Sequence, residues 1–353
     1  MHVVRAPGRV NLIGDHTDYQ DGFCLPLAID REVVVRAVAR TDGIVVARSD
    51  ALDGIVEVPA DGYEDPRHVL PSWGRSVAGV LRLLSEPART AIGFDADVTS
   101  TVPVGSGLSS SAAFAVAFTI LAGEIGGYST SPRAVALIAQ AAEHAATGVP
   151  CGVMDQMASV FGRAGHALLL DCRSLEITPV PLPDPGAIVV VHTGLARRLE
   201  DSAYAQRRAA CEAAASRLGV DALRDASNEQ VASDPIARHV VSENQRTLAF
   251  ADALRAGDLE RCGRLMLKSH ASLRDDFRVS TPELDALVDA LVATGAYGAR
   301  LTGAGFGGCV VALVPAHAVD EVVPAACSRY VLATGLTPTP LVVRAVDGAG
   351  RVP

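Results

Sequence analysis

The stretch Pro103-Val104-Gly105-Ser106-Gly107-Leu108-Ser109-Ser110-Ser111 runs without a break into Ala112-Ala113-Phe114-Ala115-Val116. Glycines and serines placed directly before an apolar run predict a loop that opens a buried helix. The first amides of such a helix have no intrahelical partner, and the helix dipole puts its positive end beside them. With glycines permitting close approach, the segment is an anion site that fits phosphate and needs no lysine. The same residues also suit a flexible loop with serine N-caps.

Independence from lysine matters here, because Lys268 is the only lysine among 353 residues. Neither a P-loop lysine nor the β3 lysine of a protein kinase can be built from this chain, so any use of ATP needs another device. A formal net charge of −9 argues against nucleic acid as a partner. With 49% hydrophobic and 20% charged residues the chain reads as globular, and its length predicts two domains. The seven cysteines are scattered with no C-x-x-C pair, which suggests neither zinc nor a disulfide framework. The opening MHVVRAPGRV has no apolar leader core, and the charge-free run from Val98 to Gly123 is broken by Pro103, Gly105 and Gly107. A reduced cytoplasmic protein with no membrane partner is expected.

Strand patterns at Glu32 to Val38 and Ile44 to Ala47 give way to helix patterns from Trp73 to Ser85, from the serines 109–111 onward, and from Pro132 to Thr147. The last carries Ser131 as N-cap, Pro132 at the first position and Gly148 just beyond its end. Strands are expected at Ala167 to Asp171 and Ala187 to His192, with the proline-spaced segment 179–185 as the joint between residues 1–180 and 181–353. Helices at Tyr204 to Leu218, Ser242 to Ala256, Leu259 to Ser269 and Thr281 to Thr294 precede a strand at Cys309 to Val314. The order suggests α+β in both halves.

Several further segments carry chemistry. Glu143 stands on the alanine-rich helix 132–147, where it either meets solvent or, if buried, needs a partner such as a cation. Arg5 to Tyr19 gathers Arg9, Asp15, His16 and Asp18 around a glycine-punctuated strand, a density suited to a polyol and less well to a metal. Asp155 follows Pro150 in an apolar stretch, as a base or as a helix cap. The run Gly303 to Gly308 contains G-x-G-x-x-G but leads into a strand, so it is not a dinucleotide fingerprint. Its glycines serve either close backbone approach to a phosphate or loop, or a structural hairpin.

Three motifs in order, Gly8-Arg9-Val10-Asn11-Leu12-Ile13-Gly14 with His16-Thr17-Asp18-Tyr19, Gly107-Leu108-Ser109-Ser110-Ser111-Ala112, and Thr302 to Cys309, resemble those of the GHMP small-molecule kinases. Ala142-Glu143-His144, Pro150 to Gln156, Asp171 to Leu175 and Ser269 to Phe277 sharpen the resemblance to the galactokinase family within it, across nearly the whole chain.

The resemblance implies an α+β two-domain GHMP kinase fold. Its N-terminal domain would be like ribosomal protein S5 domain 2 and its C-terminal domain ferredoxin-like, with the active site between them. It implies ATP-dependent phosphorylation of the anomeric hydroxyl of galactose, with Mg²⁺, in a monomer. A GHMP kinase of another sugar, or a catalytically silent sensor of galactose and ATP, are the alternatives. Carried over, Asp155 resembles the base and Arg9 its charge partner, while Ser111 and Glu143 resemble Mg²⁺ ligands. Gly105, Ser106, Gly107, Leu108, Ser109, Ser110 and Ser111 would take the phosphates, with Ser49 and Trp73 near the base. Asp15, His16, Thr17, Asp18, Gly152 and Tyr204 resemble the sugar contacts. The sequence departs from the family at Asp15, where glutamate is usual, and at Ser76 and Ala78, where a tyrosine and a basic residue are common. With His16, Asp18 and Tyr204 in place, galactose is expected to be preferred over analogues that lack its primary hydroxyl.

Overall fold

The computed structural model describes residues 1–84, 91–103, 105–195 and 200–352. Val104 of the glycine-serine loop and Ser85, the expected end of the first helix, lie outside the described residues. The first half contains β1 (His2–Asn11), β2 (Phe23–Cys24), β3 (Pro26–Arg40), β4 (Ile44–Ser49), β5 (Val56–Pro59), α1 (Gly74–Leu84), β6 (Gly93–Ser100), α2 (Ser110–Ile125), α3 (Pro132–Thr147), α4 (Met154–Phe161), β7 (His166–Asp171) and β8 (Glu176–Pro181). The second contains β9 (Gly186–His192), α5 (Glu200–Leu218), α6 (Pro235–Arg255), α7 (Leu259–Asp275), α8 (Pro282–Ala293), β10 (Gly298–Thr302), β11 (Cys309–Pro315), α9 (Val319–Thr334), β12 (Thr339–Val343) and β13 (Gly350–Arg351).

The apolar residues of α2, among them Phe114, Val116, Phe118 and Leu121, are buried, because this helix lies between the main sheet and the helices α1 and α3. That sheet has the order β13-β1-β3-β6-β4-β5 and is antiparallel except where β4 runs parallel to β6. The second half builds the antiparallel sheet β10-β11-β9-β12, covered by its own helices. Val189, Val191, Leu301, Val310 and Ala312 fill its core against Leu284, Leu287 and Leu291 of α8.

Prolines 179 and 181 do not end the secondary structure. They belong to β8, whose partner is β7, with Leu168 opposite Pro179 and His166 opposite Pro181. An edge strand tolerates proline because its outer amides need no ladder partner, and β8 is the edge of the sheet β2-β7-β8. The connection to β9 is therefore Leu182 to Pro185. The chain also returns to its first half at the end: β13 pairs with β1 through Val4 and Arg351, and the amide of Gly348 donates to Gly162 O at 2.8 Å.

Two features aim the site. The register of β1 against β3 shifts between Pro7 and Arg9. At Gly8 a Cβ would come within 2.6 Å of the Leu108 carbonyl, so glycine lets the glycine-serine loop lie on the strand, where Arg9 N donates to Leu108 O at 3.0 Å. Among the described residues no helix is long and apolar enough to cross a membrane.

Candidate active site

A cavity opens between the halves, lined by Arg9, Asp15, His16, Asp18, Gly105, Gly107, Ser109, Ser110, Ser111, Glu143, Gly152, Asp155 and Tyr204 of the residues singled out above. Cys151, Met154, Gly303 and Ala304 complete it. Ser49 and Trp73 line a second, apolar cavity with Val33, Leu52, Val98 and Phe114, and the two cavities share Ser110 and Ser111. Trp73 donates from its indole to Asp53 O at 3.0 Å and meets Phe114 edge-on, which holds its ring at the cavity wall.

Three of the expected residues support the cavity without lining it. Thr17 is fully buried and donates to Gly14 O and Phe23 O at 2.9 Å, because its hydroxyl closes the turn that follows β1. Ser106 is buried with its hydroxyl on Pro103 O at 2.7 Å, and the buried Leu108 carbonyl is taken by Arg9. Thr17 holds the turn after β1, and Ser106 and Leu108 hold the glycine-serine loop.

Asp155 lies in the first turn of α4 and caps nothing. Its Oδ1 accepts from Arg9 Nε at 2.8 Å and is ion-paired with Nη2 at 2.7 Å, and Arg9 Nη1 donates to Gly107 O at 2.6 Å. The other carboxylate oxygen accepts a short hydrogen bond from the Ser109 hydroxyl. Ser109 is left-handed, at φ 63, a conformation that costs a non-glycine residue free energy and here aims its hydroxyl at Asp155. One buried arginine thus joins the strand, the loop and α4.

Ser111 and Glu143 meet at the loop's end: the serine hydroxyl donates to Oε1 at 2.7 Å, and Gln156 Nε2 donates to Oε2 at 2.7 Å. Burial raises the Glu143 pKa above the usual carboxylate value, against the hydrogen bonds from Ser111 and Gln156. A hydroxyl and a carboxylate short of positive charge form a hard oxygen donor pair, which fits Mg²⁺. Among the described residues no cluster of three or more His, Cys, Asp or Glu could hold a metal, so the metal alternative for Asp15, His16 and Asp18 does not fit.

Asp18 faces the cavity with its pKa pushed up to about 7 by burial and by the nearby charges of Asp155 and Asp15. Gly152 makes room for it, since a Cβ there would overlap the Asp18 carboxylate. His16 is neutral, drawn down to about 4 chiefly by burial. It therefore donates from one nitrogen and accepts at the other: Nε2 faces Ala304 O at 3.1 Å and Nδ1 the Tyr19 hydroxyl at 2.8 Å.

Sequence reasoning missed what stands behind this loop. Glu243 of α6, fully buried, accepts from the Gly14 amide at 3.0 Å and the Ser269 hydroxyl at 2.5 Å. Burial opposes its charge, but Arg246 and Arg300 outweigh that and hold it at about 2. Arg300, also fully buried, lies 2.5 Å from Asp15 Oδ2. Its signal was available as an arginine inside the strand pattern Gly298-Ala299-Arg300-Leu301, whereas nothing in the helical pattern marks Glu243.

Family models match in two parts of the chain, "GHMP kinases N terminal domain" over residues 75–163 and "GHMP kinases C terminal" over 250–332. A two-domain α+β fold with a cavity between its halves is here that of a GHMP kinase. A "Galactokinase galactose-binding signature" covers residues 1–39. The chain is 48% identical to the galactokinase of Roseiflexus sp. (strain RS-1) and 47% to that of Chloroflexus aurantiacus (strain ATCC 29366 / DSM 635 / J-10-fl), with 99% of this chain and 93% of each relative covered. A structure of Lactococcus lactis galactokinase complexed with galactose superposes with a TM-score of 0.93 at 31% identity, over 99% of this chain and 95% of that one. The chain belongs to the galactokinase family.

Proposed function

We propose that this chain transfers the terminal phosphoryl group of ATP to the anomeric hydroxyl of galactose, giving galactose 1-phosphate and ADP, with Mg²⁺ held by Ser111 and Glu143. As a member of its family it is an ATP-dependent kinase of galactose, and the residue roles are what the geometry adds. The observation that carries them is Asp155, gripped by Arg9 and bonded to Ser109 where the phosphate loop meets the cavity.

The adenine lies in the apolar cavity beside Trp73 and Ser49, and the phosphates lie over the free amides at the start of α2. Asp18, the carboxylate facing the cavity, accepts from sugar hydroxyls. The anomeric hydroxyl then comes to Asp155, which takes its proton at a carboxylate oxygen, while Arg9 offsets charge that develops between hydroxyl and phosphoryl group. Bound Mg²⁺ supplies neutralisation of the phosphate oxygens. The chain's own contribution is positioning, which suits a transfer with little covalent work for the protein.

The test incubates the protein with galactose, ATP and Mg²⁺ and identifies the product by phosphorus NMR. A phosphate ester on the anomeric carbon, formed one for one with ADP, is expected. A phosphate elsewhere on the ring, or ADP formed without sugar phosphate, overturns the proposal.

A further inference from the structure

The motif Asp171-Cys172-Arg173-Ser174-Leu175 lies outside the cavity described above. It closes the hairpin between β7 and β8, where Asp171 accepts from the Arg173 amide at 2.9 Å. Its two charged side chains reach across to the second half of the chain. There the 3₁₀ turn Leu223–Asp225 offers a guanidinium and a carboxylate in the opposite order.

The match is reciprocal. Arg224 donates to Asp171, from Nη1 to Oδ1 at 2.5 Å and from Nη2 to Oδ2 at 2.9 Å. Arg173 donates to Asp225, from Nη1 to Oδ1 at 2.9 Å and from Nη2 to Oδ2 at 2.6 Å. Single exposed ion pairs contribute little, but two bidentate pairs in one network fix orientation as well as charge. Burial opposes the charge of Asp171, and hydrogen bonds from Arg224 and from the amides of Arg173 and Ser174 outweigh it, so its carboxyl sits below the usual range.

The same groups hold the turn 17–22 that follows β1. Arg224 Nη1 donates to Asp21 O at 2.7 Å, and its guanidinium lies over the Phe23 ring, 4.2 Å from the centroid. Arg173 Nε donates to Asp21 Oδ2 at 3.1 Å, and the Cys172 amide to Gly22 O at 2.9 Å. From the second half, the Leu223 amide donates to the buried Gln20 Oε1 at 3.1 Å. The other side of this turn presents Asp18 to the cavity.

We infer that the 171–175 motif is an ionic clasp that locks the two halves over the turn 17–22, with Arg224 as a positioning residue for Asp18, and that raised ionic strength loosens it. The inference rests on the proposed contact of Asp18 with the sugar and adds to it what holds that carboxylate from outside the cavity. Galactose carries no charge, so any effect of salt on its binding comes through the protein.

The test combines hydrogen exchange by mass spectrometry, over the turn 17–22 and at Leu223, with calorimetric galactose binding at about 50 mM and about 500 mM NaCl. Arg224→Met removes the guanidinium and keeps an unbranched side chain. Exchange at both places should speed by about tenfold or more, and galactose should bind about fivefold more weakly, with ATP within about twofold of normal. The unmodified protein should lose about threefold in galactose affinity at the higher salt, and Arg224→Met should lose almost none. Asp171→Asn keeps an acceptor for the Arg173 amide and should add less than about twofold to the loss in Arg224→Met. Unchanged exchange in Arg224→Met, an equal salt response in the two proteins, or full additivity overturns the inference. Faster exchange with galactose binding unmoved would make the clasp merely structural and overturns it too. Should Arg224→Met fail to fold, Arg173→Met takes its place in the same comparison. No galactose binding by the unmodified protein would overturn the proposed function, and exchange would then decide the clasp by itself.

Discussion

Arg9 and Asp155, 146 positions apart in the chain, are joined at one oxygen, where Oδ1 accepts a hydrogen bond from Nε at 2.8 Å and lies 2.7 Å from Nη2 in the ion pair. Arg9 comes from β1, next to the register shift at Gly8, and Asp155 from the first turn of α4. The pair leaves Oδ2 to the Ser109 hydroxyl, so the carboxylate's direction is set from two sides. Asp155→Asn keeps the shape and removes the proton acceptor, and turnover should fall by about 10²-fold or more while nucleotide binding is kept. Steady-state rates with a fluorescent-nucleotide titration measure both, and near-normal turnover would remove Asp155 from the role of base.

The Ser111–Glu143 contact predicts a separate behaviour. Burial makes ionised Glu143 costly, and a cation between the two oxygens relieves that cost. Glu143→Gln keeps the hydrogen-bonding outline without the charge. The Mg²⁺ concentration for half-maximal activity should rise by about tenfold or more, with galactose binding within about twofold of normal. An unchanged Mg²⁺ titration would take Glu143 out of the metal site.

Asp18 couples the sugar site to pH. Its folded pKa of about 7 lies above the usual carboxylate value, so between about pH 4 and pH 7 the folded protein holds a proton that the unfolded chain gives up. Stability from this group therefore declines as pH rises through that window, and the ionised carboxylate is a standing cost above it. Asp18→Asn should raise the Tm of the unliganded protein at pH 8 by about 2 °C or more, while abolishing tight galactose binding. Because sugar hydroxyls donate to the ionised form, galactose should bind more tightly at pH 8 than at pH 6, with proton release seen by calorimetry in buffers of different ionisation enthalpy. A flat pH profile would show that the sugar does not engage Asp18.

What the sequence made legible was local. The helix Pro132–Thr147 could be bounded because its punctuation is chemical: Ser131 Oγ accepts from the Ala134 amide and Gly148 takes φ 75. The helix expected from Ser242 begins at Pro235 instead, where the cap Asp234 accepts from two amides. The helix at Leu259 runs on to Asp275, since Ser269, Ser272 and Leu273 are its buried face. The glycine-serine loop and Asp155 stand out by residue type and context, and both line the cavity. Glu243, His239 and Arg300 do not stand out, because their work depends on partners brought together from opposite halves of the chain, as where His239 Nε2 meets Asp15 O at 3.2 Å. No spacing encodes such a contact.

Gly152 tests whether that assembled geometry is specific to the sugar. A methyl group there would overlap the Asp18 carboxylate, while the backbone of Gly152 is not among the positive-φ glycines, so alanine strains no dihedral. Asp18 must swing aside, and the hydroxyls it accepts lose their partner. Gly152→Ala should weaken galactose binding by about 10²-fold with ATP binding unchanged, and should shift Tm by no more than about 2 °C. A double-mutant cycle assigns the cause: if the clash with Asp18 is the whole effect, Gly152→Ala adds less than about twofold once Asp18 has been replaced by alanine. Full additivity would mean that Gly152 serves the sugar through its own backbone instead, and the hydrogen bond between the Gly152 backbone and the Tyr204 side chain would be the place to look.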